Sequence, residues 1–261
     1  MRVSNDGASL LRVFAARQIA TAISEAEFVD HAEAPVVAHE RLTTRRFDQA
    51  PVTQDGRLVG WVSTSTLKAA NNVKSVLRPL SRSALVSGQS PISQVLELLA
   101  KDGFVFVVGE GGIDGFVTPS DLDRHAVRSH FYLLVAGIEL LLAEAVRTAV
   151  HPDVVLARVH GDVRARWEAA YAANSETSPV EYLYLQDLAE LFLSHSAEGA
   201  SPWGKGLRDK LTAICQFRPT VMHPARPLMS GRNASQLATL SRAAEEVSTA
   251  LATLTSVSSI P

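Results

Sequence analysis

Short apolar runs bounded by turn residues fill the first half of the chain, and apolar positions at helical spacing fill the second. Leu10, Leu11, Val13, Phe14, Ile19 and Ile23 fall close to helical spacing over Ala8 to Glu25, which predicts an N-terminal helix docked on the repeats that follow or on a partner subunit. Next come a strand and helix over Ala34 to Leu42, a strand over Ala50 to Thr53, a strand over Leu58 to Val62 and a helix from Ser65. Asp55-Gly56 joins the two strands, and Asp-Gly between apolar runs is a hairpin signal because both residues tolerate positive φ. Ser90-Pro91 opens a helix through Leu99, since proline in a first turn forfeits no intrahelical bond. A strand over Phe104 to Val108, a glycine-rich turn, a strand over Ile113 to Thr118 and a helix from Ser120 complete the pattern. Beyond Leu122 the alternation stops. Five helices are predicted there, over His130 to Val150, Pro152 to Asn174, Tyr182 to Ser194, Gly204 to Phe217 and Ala234 to Leu254. The fold class is therefore α+β, a βα domain over residues 1–125 followed by an all-α helical bundle over 126–261.

The strand-bearing half repeats. Gly115-Phe116-Val117-Thr118-Pro119-Ser120-Asp121 is a glycine, two apolar residues, a hydroxyl, and a carboxylate three positions later; Gly60-Trp61-Val62-Ser63-Thr64-Ser65-Thr66 is a weaker copy, with the same apolar and glycine-turn prelude. The two glycines lie about 55 residues apart, and self-similarity at fixed spacing outweighs either motif alone. At a strand-to-helix junction Thr118 can bond a phosphate or cap the helix, and Asp121 can accept from ribose hydroxyls.

These residues resemble a tandem pair of CBS domains, an adenine-nucleotide-sensing module, over roughly residues 25 to 125. The resemblance implies an adenosine phosphate (AMP, ADP or ATP) as regulatory ligand, with Gly115, Thr118 and Asp121 at the site and Ser63 and Thr66 at its degenerate counterpart. Thr66 stands where the family has Asp, so one competent ribose site is expected. A cap with no ligand is the alternative reading of the same residues.

Composition narrows the partners. A formal charge of −2 offers no bulk attraction for nucleic acid. The single cysteine, Cys215, excludes an intrachain disulfide framework and fits a reducing, cytoplasmic setting. No secretory leader is evident, and Phe131 to Val150, the most membrane-like stretch, carries Glu139, Glu144 and Arg147, so no membrane association is expected. No set of residues with metal-ligand spacing occurs; His31, His39, His151, His160 and His195 read as surface or capping residues, and Trp61, Trp167 and Trp203 as packing residues.

Arg218-Pro219-Thr220-Val221-Met222-His223-Pro224 has the spacing R-x4-H. With 20 arginines and 8 histidines in 261 residues, chance supplies about 0.6 such pairs, so spacing alone decides nothing. Its place late in a helical bundle, with proline after the histidine, resembles the HEPN superfamily, many of whose members are metal-independent RNases, over roughly residues 126 to 255. The resemblance implies Arg218 stabilising phosphate and His223 moving a proton at a dimer interface, with no catalytic cofactor, and Glu139 as a supporting acid near Arg218. Pro219 departs from the polar residue usual after the arginine. Two outputs follow: a non-catalytic dimerisation or protein-partner module, or a nucleotide-regulated endoribonuclease acting on RNA in stress response or phage defence. A homodimer is expected in either case.

Overall fold

The structure is a computed structural model that describes residues 14–173, 177–195 and 205–257. Trp203 and the first part of the expected N-terminal helix lie outside the described residues. The chain is mixed α and β and divides into two compact units. One holds residues 14–129 together with Leu228–Ala238; the other holds His130–Pro227 and residues 239–257. Leu228–Ala238 thus clusters with the strand-bearing unit although it follows most of the helices, and the Met229 amide donates to Asp123 Oδ1 at 3.0 Å there.

The strand-bearing unit contains two four-stranded sheets. The first has the order β2-β3-β4-β5, with β2 Val29–Asp30, β3 Gln49–Gln54, β4 Arg57–Ser63 and β5 Arg78–Pro79. The second has the order β1-β8-β7-β6, with β1 Thr21–Ala22, β6 Ala84–Ser87, β7 Val105–Gly109 and β8 Gly112–Val117. Each sheet pairs its first repeat strand in parallel with the hairpin and carries an antiparallel edge on the other side. The hairpins match down to the irregularity, a register shift at Val52/Thr53 in one and at Val107/Val108 in the other. Asp55 (φ 51°) and Gly56 (φ 74°) both take the positive φ that a tight hairpin turn demands.

The edge strands are exchanged. β1 precedes the first repeat yet completes the second sheet, and β5 precedes the second repeat yet completes the first. The repeated glycines make room for them. A Cβ on Gly115 would sit 2.7 Å from Thr21 O, and one on Gly60 would sit 2.1 Å from Arg78 O. This corrects the expected helix over Ala8 to Glu25: Ala16–Gln18 is a single 3-10 turn and Thr21–Ala22 is a strand, because backbone pairing with Phe116 and Gly115 overrides helical spacing.

Three helical pieces, α1 Pro35–Thr44, α2 Thr64–Leu67 and α3 Val73–Val76, belong to the first repeat, and α4 Ile92–Asp102 to the second. Leu42, Leu67 and Val73 pack with Val29, Ala50, Val52 and Val62 into one buried cluster. α4 buries Ile92, Val95, Leu96 and Leu99 and ends on Gly103 in the left-handed conformation, φ 73°. Trp61 of β4 stacks on Phe104 at 5.0 Å, and Phe104 meets Phe106 and Phe116 at 4.9 and 5.3 Å, so aromatic rings from both repeats share one cluster. Glu27 bonds Arg41 and Arg45, and Glu33 bonds Arg41 at 2.7 Å, tying α1 to the segment before it.

The last expected helix of this unit, from Ser120, is a 3-10 turn over Pro119–Asp123. Among the described residues no strand follows Val117. The helices beyond are α5 His125–Ala149, α6 Pro152–Arg158, α7 Gly161–Ala172, α8 Leu185–His195, α9 Lys205–Met222 and α10 Ala234–Val257. Among the described residues there are six rather than five, because Val159 and His160 take extended backbone and split the expected helix over Pro152 to Asn174. α9 runs past its expected end at Phe217 to Met222 and holds Pro219 in its interior. Proline removes an intrahelical bond there, and Phe217 and Val221, two residues to either side, are buried. Leu134, Ile138, Leu142 and Val146 of α5, Leu188 and Leu191 of α8, Ile214 and Phe217 of α9, and Val247 and Leu251 of α10 are buried. α5 is long and apolar enough to cross a membrane by length and composition alone.

Candidate functional site

β8 delivers Thr118 in extended conformation at its end, and the 3-10 turn that follows folds Asp121 back onto it. The Thr118 amide and Thr118 Oγ1 both donate to Asp121 Oδ2, at 2.8 and 3.0 Å. The other oxygen, Oδ1, accepts from Thr21 Oγ1 at 3.0 Å and from Arg124 Nε at 3.0 Å, and Arg124 Nη2 lies 2.8 Å away. Asp121 is only 6% exposed. A buried carboxylate needs donors or a cation, and this one has both. Arg124 also donates to Ala20 O at 3.2 Å and to Thr21 Oγ1 at 2.7 Å. Thr118 and Asp121, read from the motif, therefore meet; Thr21 and Arg124 join them and were not singled out in the sequence. Thr21 lies 100 residues away and is brought in by β1. For Arg124 the spacing to Asp121, three residues in a turn, is a signal that sequence reading could have used.

The counterpart in the first repeat is built differently. Ser63 Oγ pairs with Ser65 Oγ at 2.8 Å, and Thr66 Oγ1 donates to Ser63 O at 2.8 Å, a local turn with no carboxylate. The strand position matching Thr21 is Arg78, whose guanidinium lies 4.8 Å from the Trp61 ring centre. Buried Thr64 donates to Phe47 O at 2.6 Å, which fixes the turn but leaves no polar group turned toward a ligand from that side chain.

In the helical unit, Arg218 of α9 faces Glu139 of α5, Nε to Oε2 at 3.6 Å. The separation is an ion pair just beyond hydrogen-bond reach, which is why Arg218 Nε is itself buried without a hydrogen-bond partner. His223 lies just past the end of α9 and is exposed, and its carbonyl accepts the Arg226 amide at 3.0 Å. Cys215, one turn before Arg218, has its thiol pKa pushed up by burial; nearby Arg218 opposes the shift, while Glu190 and Glu139 add to it. A nucleophilic role asks for the opposite shift. The one histidine with a perturbed pKa is His130, which ends a near-match to the R-x4-H spacing that starts at Arg124, and no role was assigned to it from the sequence. It is 2% exposed on α5, its Nε2 lies 3.1 Å from Ser241 Oγ of α10, and burial lowers its pKa to about 4. Among the described residues no three His, Cys, Asp or Glu side chains gather as a metal site would require.

No protein-family model matches the chain, and no curated protein matches it. Solved structures similar to its N-terminal part include CBS-domain proteins. A hemolysin-like protein containing a CBS domain from Oenococcus oeni PSU is 17% identical, with 45% of this chain and 93% of that chain covered and a TM-score of 0.39. The CBS domain of a bacterial CNNM/CorC family Mg2+ transporter in complex with ATP is 21% identical, covering 46% and 92%, at a TM-score of 0.40. CBSX2 in complex with AMP is 20% identical, covering 46% and 98%, at 0.38. These likenesses span less than half of the chain, and the reading of the helical unit rests on its own residues.

Proposed function

We propose that this protein is a nucleotide-responsive regulator: the paired βα repeats bind one adenine nucleotide, and the helical unit carries the output as a non-catalytic dimerisation or partner-binding module. The observation that carries the binding half is the asymmetry of the two related half-sites. One has a hydroxyl and a carboxylate brought together at a strand end, Thr118 with Asp121; the other has Ser63 and Thr66 and no acid. A carboxylate accepts from both hydroxyls of a ribose diol with a full charge, where a neutral hydroxyl offers one weaker acceptor, so a single ribose site at Asp121 is the arrangement these residues favour.

The pairing of Arg218 with Glu139 supports a non-catalytic output, because an arginine held by an acid on the neighbouring helix is less available to a phosphate. The exposure of His223 at the mouth of α9 favours a second reading, a metal-independent endoribonuclease in which His223 transfers a proton and Arg218 stabilises phosphate charge. Titration of the purified chain with AMP, ADP and ATP, run beside an RNA-cleavage assay with and without the bound nucleotide, separates them. Binding without cleavage supports the leading reading. Cleavage that persists in EDTA, leaves a 2′,3′-cyclic phosphate and vanishes in His223→Ala selects the RNase. Light scattering at micromolar concentration tests the homodimer; a monomer counts against the dimer and against any active site shared between subunits.

A further inference from the structure

Asp121 accepts four hydrogen bonds, two on each oxygen, and Arg124 Nη2 adds an ion-pair contact to Oδ1. A carboxylate offers about four lone-pair sites, so no acceptor capacity is left for a ribose diol. The two donors on Oδ2 come from Thr118, fixed three residues away in the same turn. Those on Oδ1 come from Thr21 and Arg124, and the Arg124 side chain is 42% exposed, so it can return to water at small cost. We infer that Thr21 and Arg124 hold Oδ1 of Asp121 in the place of ribose hydroxyls, so that nucleotide binding and the Asp121–Arg124 pair exclude one another. This rests on the nucleotide-binding reading above.

The exchange reaches further than the carboxylate. Arg124 immediately precedes α5, and its carbonyl accepts the amides of Val127 and Arg128 at 3.1 and 3.3 Å, which makes it the cap of that helix. Its guanidinium also holds Ala20 O and Thr21 Oγ1, the approach to the two-residue strand β1. A guanidinium that leaves Asp121 also leaves Ala20 and Thr21, which loosens β1, and any backbone shift of Arg124 that goes with it passes through its carbonyl into the first turn of α5. The first half-site has no such device, since Thr66 has no charge and Arg78 lies against Trp61.

The experiment is calorimetric titration of the full chain with AMP and with ATP, for wild type, Arg124→Ala, Thr21→Val and Asp121→Ala, together with amide hydrogen exchange over residues 20–22 and 125–129 with and without AMP. Removing a competitor for Oδ1 tightens nucleotide binding, by about two- to fivefold for Arg124→Ala, the scale of a partly exposed ion pair, and by about tenfold for Thr21→Val, the lower end for a hydrogen bond to a charged group. Asp121→Ala binds more weakly than wild type, and AMP speeds exchange in both segments. Thr21→Val keeps the test open if Arg124→Ala folds poorly. Wild-type binding that is unchanged or weakened in both Arg124→Ala and Thr21→Val overturns the exchange while leaving the nucleotide site standing. Binding by no variant overturns both. Exchange rates that do not move on binding overturn the release of β1 and α5.

Discussion

Replacing His130 with Gln tests the packing of the helical unit through its pH dependence. His130 is buried between α5 and α10, with Ser241 beside Nε2 and the Phe131 ring 5.3 Å away. Burial lowers its pKa from 6.5 to about 4, so the folded protein holds the ring neutral while the unfolded chain protonates it near 6.5. The sign follows from proton uptake: between those two values the unfolded state binds more protons, and stability falls as pH falls. The contribution is full above pH 6.5 and gone below about pH 4. At about 1.4 kcal/mol per pKa unit the whole effect is about 3 kcal/mol, and between pH 7.5 and pH 5 about 2 kcal/mol of it is lost. Urea unfolding at the two pH values reads this directly. His130→Gln keeps a side chain able to bond Ser241 but cannot titrate, so the variant loses about 2 kcal/mol less than wild type over that interval. Other titrating groups contribute equally to both proteins and cancel. Equal losses in the two proteins would show that His130 is not held neutral, and the reasoning would fail.

Asp121→Ala strands the donors on Thr118, Thr21 and Arg124, and is expected to cost about 1–3 kcal/mol by chemical denaturation besides weakening nucleotide binding. An unchanged midpoint would contradict the network. Gly115→Ala drives a methyl against Thr21 O, 2.7 Å from the ideal Cβ position, and should destabilise by about 1–3 kcal/mol with faster amide exchange at Thr21 and Ala22. A double-mutant cycle on Glu139→Gln and Arg218→Ala should return a coupling of about 0.2–1 kcal/mol, because both side chains are about a third exposed. A coupling near zero would remove the observation favouring a non-catalytic output.

The strand-bearing repeats were legible because their signals are local: an Asp-Gly turn, a proline-led helix, and a glycine motif recurring at fixed spacing. The motif also named Thr118 and Asp121, which meet within one turn of backbone. Thr21 was misread, since two residues of strand leave no periodicity of their own and their place is set by a partner nearly a hundred residues on. The split at Val159 and His160 was hidden for a similar reason: both residues continue an amphipathic pattern while their backbone leaves the helix. The residues around Glu139 said only that a carboxylate on an apolar helix needs a partner if buried; Arg218 as that partner came from the resemblance of the helical half. His130 carried no such mark, because a histidine becomes buried only through what packs over it.

The exchanged edge strands set an order of events during synthesis. β4 meets β5 soon after Gly60 leaves the ribosome, since Pro79 is its partner, whereas Ala22 must wait for Gly115. β1 is thus made first and seated last, and the loop it closes is the slow kind to form. Until it arrives, β8 is an open sheet edge able to pair with another nascent chain. A fragment starting after residue 26 would keep that edge permanently, and would be expected to associate through it rather than fold as a smaller version of the same unit.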